Sequence, residues 1–314
     1  MSQNNPTIYI GIDVAKRSFV VHSPSQTLEL TNDARGHTRL RRLLAKVAGP
    51  IHVVLEATGG YEQPIAAALH RAQIALSVVL PGRVRAYAKA LGRRAKTDSI
   101  DAALLSAYGQ AIQPLPTLPR SPREQALQEA VRQRQQLVEM STQLKNQAPH
   151  CREARAKKRN QAMQRALRAQ IADCQCQIAQ LQAEDPQLQQ RAQRLQEVPG
   201  VGPIVAAVLL AELPELGSLG SQEVAALAGV APYNCDSGPW TGTRRIAGGR
   251  GAVRRALYMA ALTARRKDGI LRRCYEALLA RGKKKLVALT AIMRKLIVLL
   301  NRLLKNPSFQ LQHS

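Results

Sequence analysis

The sequence is poor in aromatic residues: two Phe, seven Tyr and one Trp amount to 3% of its 314 residues. Its cores must therefore rest on Leu, Val, Ile and Ala. Cysteine is also scarce. Cys151, Cys174, Cys176, Cys235 and Cys274 form an odd set without a CxxC pair, which argues against a disulfide framework and for reduced thiols. Cys174 and Cys176 are two apart and would not share a helix face, so zinc binding by that pair is set aside. Long apolar runs are missing. Even "KLIVLLNRLL" is broken by charge, and no segment predicts a membrane span. "MSQNNPTIYIGID" lacks the basic-then-apolar pattern of a secretory signal, so a cytoplasmic location is expected.

Acidic residues are few as well: 21 Asp and Glu stand against 46 Lys and Arg, a net charge of +25. Such an excess predicts a polyanionic partner, nucleic acid ahead of an anionic surface. It is uneven, at +7 for residues 1–119, +2 for 120–243 and +16 for 244–314.

Residues 1–112 predict an α/β domain. "TIYIGIDV" (7–14), "SFVVHS" (18–23) and "LELTN" (28–32) have the pattern of three short strands. Helical spacing follows in 35–48, a buried-type strand in "IHVVLEA" (51–57), and a helix over 62–71. Strand "ALSVVL" (75–80), a helix opened by Pro81 and a helix from about Ser99 to Ile112 complete the domain. That order is the order of the ribonuclease H fold. Four prolines in "QPLPTLPRSPRE" predict a linker, and the apolar spacing up to residue 184 predicts an antiparallel helical hairpin or coiled coil. The segment 113–184 reads as a spacer or a dimerisation arm. Residues 185–306 predict a helical domain, and 307–314 a flexible tail. A helix starts at Asp185–Pro186, and two basic helices are expected at 252–266 and 283–304. The turn "PGVG" (199–202) resembles a helix-hairpin-helix, in which Gly200 and Gly202 would offer backbone N–H groups to a phosphate.

Four acids fall where a ribonuclease H sheet would converge them. Asp13 interrupts an apolar strand, a costly place for an unpaired charge, and Glu56 ends the fourth strand. Strands one and four are neighbours in that fold. Asp98 and Asp101, at i and i+3, share one face of the last helix. Together they suit Mg²⁺ or Mn²⁺, with two ions the arrangement for phosphoryl transfer. Locally, Asp98 also reads as a helix N-cap with Asp101 in a short capping box, and Asp13 as a partner of Lys16 or Arg17.

"IGIDVAK", "LEATGGYE", "AKTDSIDA", "VPGVG" and "GVAPYNCDSGPWTGTRRIAGGRGAVRRALYMAAL" resemble, in order and over about residues 7–305, the DEDD transposases of the insertion-sequence 110 group. The last block is most similar to the 1111 subgroup. The resemblance implies a RuvC-like domain holding Asp13, Glu56, Asp98 and Asp101, and a C-terminal transposase domain whose catalytic serine maps to Ser237. It further implies DNA recombination guided by a noncoding bridge RNA that pairs with donor and target DNA. Dimers would assemble into a tetramer with composite sites, in a bacterial, nucleoid-associated setting.

By its residues alone, Ser237 in "CDSG" is an ordinary turn serine. Gly238 would admit a phosphate, and no histidine lies near in sequence. Nucleic-acid contacts are expected from Lys16, Arg93, Arg94 and Lys96 in the first domain. In the last domain they are expected from Gly200, Gly202, Arg244, Arg245, Arg250, Arg254 and Arg255. Rival readings are a metal-dependent nuclease or junction resolvase using water, a site-specific DNA invertase, and a non-catalytic nucleic-acid-binding protein.

Overall fold

The computed structural model describes residues 6–92, 97–233, 244–267 and 269–311. The chain divides into two compact units, Met1–Pro119 and Arg120–Ser314.

The first unit is a five-stranded sheet with helices on both faces. Its strands are β1 (Ile8–Val14), β2 (Ser18–Ser23), β3 (Gln26–Thr31), β4 (Ile51–Glu56) and β5 (Ala75–Val79). Its helices are α1 (Ala34–Leu44), α2 (Gln63–Arg71), α3 (Pro81–Ala90) and α4 (Asp98–Ile112). The strand order is β3-β2-β1-β4-β5; β1, β4 and β5 run parallel, and β2 and β3 are antiparallel. This is the ribonuclease-H-like, RuvC-like arrangement. Alternation along the strands feeds two cores. Ile10, Ile12, Val53 and Leu55 face Leu40 and Leu44 of α1 and Ile65 and Leu69 of α2. Val54 and Val79 face Val84 of α3 and Leu104, Leu105 and Tyr108 of α4.

Helix α4 lies directly against β1. A Cβ at Gly11 would overlap the Ala102 carbonyl oxygen and the Ser106 backbone nitrogen, so only glycine admits the helix there. Ser106 Oγ donates to the Tyr9 carbonyl at 2.7 Å, and Gly109 sits against Tyr9 and Val54.

The proline-rich segment read as a linker is tied to β5 over its first part. Thr117 N donates to the Leu76 carbonyl at 2.7 Å, and Val78 N donates to Thr117 Oγ1 at 2.9 Å. Ser77 Oγ, 2.8 Å from His52 Nε2, donates to the Leu115 carbonyl at 2.7 Å. Pro114, Pro116 and Pro119 have no N–H to offer, so the sheet ends at this edge.

The second unit is almost entirely helical. Helices α5 (Pro122–Gln147) and α6 (Ala154–Ala183) are joined through a single 3₁₀ turn, Ala148–His150. Ser121 and Glu124 form a reciprocal capping box at the start of α5. The two helices are antiparallel: Arg123 Nη1 donates to the Glu184 carbonyl, and Asn160 Nδ2 to the Leu144 carbonyl. Then come α7 (Pro186–Gln196), α8 (Pro203–Glu212), α9 (Ser221–Leu227) and the two-residue strands β6 (Pro232–Tyr233) and β7 (Arg245–Ile246). Helices α10 (Gly251–Ala264), α11 (Ile270–Ala280) and α12 (Lys285–Lys305) complete the unit. Leu195, Ala206, Leu210, Leu257, Ile292 and Leu296 are central to its core. Two basic helices were expected after residue 250 and three stand among the described residues; α11 is the addition. No helix among the described residues is long and apolar enough to cross a membrane.

The seam between β1 and α4 is directly testable. Gly11→Val overfills it and is expected to lower the unfolding free energy by about 1–3 kcal/mol or more, read by urea denaturation. An unchanged midpoint would mean that the helix is not held as tightly as the geometry requires.

Candidate active site

Asp13 lies near the C-terminal end of β1 and Glu56 ends β4. These strands pair in parallel up to Ile12 and Leu55, so the next residues in register are Asp13 and Glu56. Ile12 and Leu55 point into the core shared with α1 and α2. By alternation Asp13 and Glu56 sit on the opposite face, the one covered by α4. Both are half-buried.

Helix α4 runs antiparallel to β1, because Gly109 meets Tyr9 while Ala102 meets Gly11. One helical turn from Ala102 toward the N-terminus reaches Asp98, and two residues from Gly11 along β1 reach Asp13. A helical turn rises about 5.4 Å and two strand residues about 6.6 Å, so the two progressions keep step. Asp101 neighbours Ala102 on the first turn. The topology thus brings all four acids to one end of one sheet face.

The N-cap of α4 is Thr97, whose Oγ1 accepts from Ile100 N at 3.3 Å, so Asp98 is the first helical residue and not the cap. Both aspartates lie in the first turn, where the positive end of the helix dipole favours carboxylates. Asp98 is exposed and Asp101 half-buried. Asp13, Glu56 and Asp101 each have an interaction partner. As the side chains stand, no three His, Cys, Asp or Glu residues among the described residues are gathered closely enough to hold one ion.

The loop after Glu56 has its own internal support, which the sequence did not reveal. Glu62 is only 8% exposed, and its Oε2 accepts from Thr58 N, Gly60 N and Thr58 Oγ1 at 3.0, 2.9 and 3.3 Å. Gly59 and Gly60, with φ of 72° and 112°, supply the left-handed backbone that aims those N–H groups inward. Asn32 joins this loop to the turn after Asp13: its Nδ2 donates to the Ala15 and Tyr61 carbonyls at 3.1 and 3.2 Å. His37 Nε2 lies 2.9 Å from Asn32 Oδ1. Lys16, on that same turn, is exposed. A cavity of about 420 Å³ lined by Ile8, Leu28, Leu43 and Val47 contains no carboxylate and is separate from the acids.

Arg93, Arg94, Lys96 and Ser237 fall outside the described residues. In the second unit the expected backbone-binding residues divide. Gly200 is committed to packing: a Cβ there would run into the Ala260 carbonyl and Ala264 of α10. Gly202, at the N-terminus of α8, meets open space. Arg244 and Arg245 are exposed beside the 234–243 segment. Arg250, expected to face nucleic acid, instead forks onto Glu215 through bonds of 2.6 and 2.7 Å and donates to the Glu212 carbonyl at 3.0 Å. Burial works to raise the Glu215 carboxyl, but the hydrogen bonds and charge of Arg250 outweigh it and hold the group below the ordinary glutamate value. Arg254 donates to the Gly248 carbonyl, and Arg255 forms an exposed ion pair with Glu139 at 3.4 Å. Exposed pairs of that kind contribute little to stability, so Arg255 can exchange its partner readily.

Comparison with known proteins covers both units. Residues 10–151 match the IS110 DEDD family described as "Transposase", and residues 192–276 match "Transposase IS116/IS110/IS902 family". The chain is 30% identical over 308 residues to the "Pilin gene-inverting protein" of Moraxella lacunata and to that of Moraxella bovis, spanning 93% of this chain and 94% of each relative.

Glu62→Ala removes the one oxygen on which three donors converge, which costs about 1–3 kcal/mol locally. Amide exchange at Thr58 and Gly60 is expected to speed up about tenfold or more; unaltered protection would remove the clasp. The Glu215–Arg250 pair predicts a pH dependence. A depressed carboxyl stabilises fully above its unfolded value, and that contribution disappears as pH falls through the lower folded value. Wild type should therefore lose more stability between pH 6 and acid conditions than Glu215→Gln, measured by urea midpoints; equal losses would count against the pairing.

Proposed function

Since this chain belongs to the IS116/IS110/IS902 transposase family, we propose that it is a site-specific DNA recombinase working from the acidic end of the first unit's sheet. Enzymatic recombination of DNA follows from the membership, and the non-catalytic binding reading is set aside on that ground. What supports the catalytic part is the register of β1 with β4, which makes Asp13 and Glu56 the next neighbours, together with the packing of α4 on that face with Asp98 and Asp101 in its first turn.

An all-oxygen donor set of this kind fits a hard divalent cation, Mg²⁺ or Mn²⁺. Bound there, such ions supply electrophilic activation of a phosphate and charge stabilisation of the departing oxygen. Asp13 and Glu56 offer ligands from adjacent strands, Asp98 and Asp101 from the helix. The dipole of α4 offsets part of the repulsion between its two aspartates. The clasp around Glu62 and the Asn32 bridge keep the loops following Glu56 and Asp13 in fixed relation.

Ser237 is the proposed nucleophile. Its Oγ forms a bond to phosphorus while the bond from phosphorus to a sugar oxygen breaks. The hydroxyl proton leaves, and the departing sugar oxygen takes one up. Attack by another strand's sugar hydroxyl reverses the exchange, restoring the serine and a phosphodiester without an external energy source. Gly238 is the next residue in sequence, and the exposed Arg244 and Arg245 follow closely. Guidance by a bridge RNA and assembly of dimers into a tetramer belong to the same proposal and rest on the family resemblance. The pilin gene-inverting relatives, similar almost end to end, favour inversion of a DNA segment as an outcome beside transposition.

Single Asp13→Ala, Glu56→Ala, Asp98→Ala, Asp101→Ala and Ser237→Ala variants are expected to lose strand exchange by roughly a hundredfold or more. The assay uses plasmids carrying the element's ends with and without its flanking RNA. A protein–DNA adduct trapped in wild type and absent from Ser237→Ala is expected. Full exchange by Asp13→Ala would falsify the acidic site. Full exchange by Ser237→Ala, with water-cut ends, would leave a nuclease or resolvase mechanism in its place.

A further inference from the structure

The near-neutral middle third of the chain conceals a strong separation of charge. Between residues 140 and 172 there are eight Lys and Arg against Glu153 alone, a net +7, whereas the rest of 120–243 is net −5. The positive stretch is the distal half of the α5–α6 hairpin. Arg152, Arg155, Lys157, Lys158 and Arg159 cluster at its tip, and all are exposed. A groove of about 200 Å³ between the two helices is flanked by Lys145 on one and Arg168 on the other, with Ser141, Thr142 and Gln175 beside them.

The apolar anchorage of the hairpin lies at its base; farther out, Glu139 of α5 makes an exposed ion pair with Arg255 of α10. The core of the second unit takes Leu127, Ala130 and Val131 from α5 and Ile178 from α6, with Leu181 packed against it, and no residue from the stretch between. From residue 132 to the end of α5 the arm extends about 24 Å beyond that core, at 1.5 Å per residue. Its distal half is not loose: Asn160, buried at 8% exposure, donates to the Leu144 carbonyl and accepts from Gln164, fixing the register near the tip.

We infer that the distal arm is a docking surface for the phosphate backbone of duplex DNA outside the reacting site. Two observations and one general property of duplexes select this occupant. A second copy's arm would bring a like charge of +7 against it, which opposes tip-to-tip association. Single strands are held by stacking on aromatic rings, and there is no Phe, Tyr or Trp between Tyr108 and Tyr233. Duplex backbones are held by Lys and Arg with counterion release and need no rings. The inference rests on the DNA-recombinase reading for the identity of its partner, but its test does not require catalysis.

The test uses the full-length protein carrying Arg155→Gln, Lys157→Gln, Lys158→Gln and Arg159→Gln together, a 60-base-pair DNA duplex, and a duplex RNA of equal length. Affinity is measured across a salt series. The expected result is a log K against log[salt] slope shallower by about three to four on DNA, at 0.9 per phosphate contact, with an unchanged melting curve. An unchanged slope on DNA overturns the inference. So does a slope that changes on duplex RNA but not on DNA, or a loss of self-association by sedimentation with DNA binding intact. Asp13→Ala is measured in parallel: if it keeps strand exchange, the catalytic reading fails while the slope measurement stands independently.

Discussion

A helix can lie on a strand with backbone touching backbone only where neither side chain intervenes, and the first unit depends on one such place. With glycine at position 11, the Ala102 carbonyl and the Ser106 nitrogen occupy the space a Cβ would need. The Ser106 hydroxyl then reaches the Tyr9 carbonyl, and Gly109 settles on Tyr9 and Val54. These contacts set the helix in register with the strand. The first turn of α4 therefore falls beside the ends of β1 and β4, and the placement of Asp98 and Asp101 follows from a packing constraint up to about three turns of helix away.

In the second unit, charge is used in three ways that a sequence count merges. Arg250 serves the fold, locked to Glu215 across 35 residues of chain. Arg244 and Arg245 are exposed beside the segment that contains Ser237. The arm's cations stand away from the core on two helices that are polar nearly all round. Averaging over 120–243 hides the last group, because acidic residues near the hairpin's base and beyond it cancel the tip.

The strands were legible because both faces of this sheet are buried, leaving short Val/Ile/Leu runs bounded by turn residues. Asp13 was conspicuous for a related reason: it stands out against the apolar residues around it. The cap of α4 was misplaced by one residue, since threonine and aspartate both cap well and "KTDS" offers both. Helix α11 was overlooked because "ILRRCYEALLA" is short and follows a glycine with φ of 145°. What sequence could not supply was pairing over distance. Nothing in "TGGYE" announces that Glu62 turns back onto its own loop, or in "GGRGAVRR" that one arginine of the run is held by a distant glutamate. Gly200 looked like part of an anion-binding turn, and its missing side chain is explained by the approach of α10.

The welded seam between β1 and α4 also bears on time. Elements joined through their backbones move as one body, so the Cα positions of Asp13, Asp98 and Asp101 are set before any substrate arrives. Drawing these carboxylates closer then calls for rotation about side-chain bonds, which takes picoseconds to nanoseconds at accessible positions, not for the microsecond-to-millisecond shifts of whole helices. The proposed site would then respond to a ligand at the speed of rotamers, leaving the slower steps to whatever must be assembled around it.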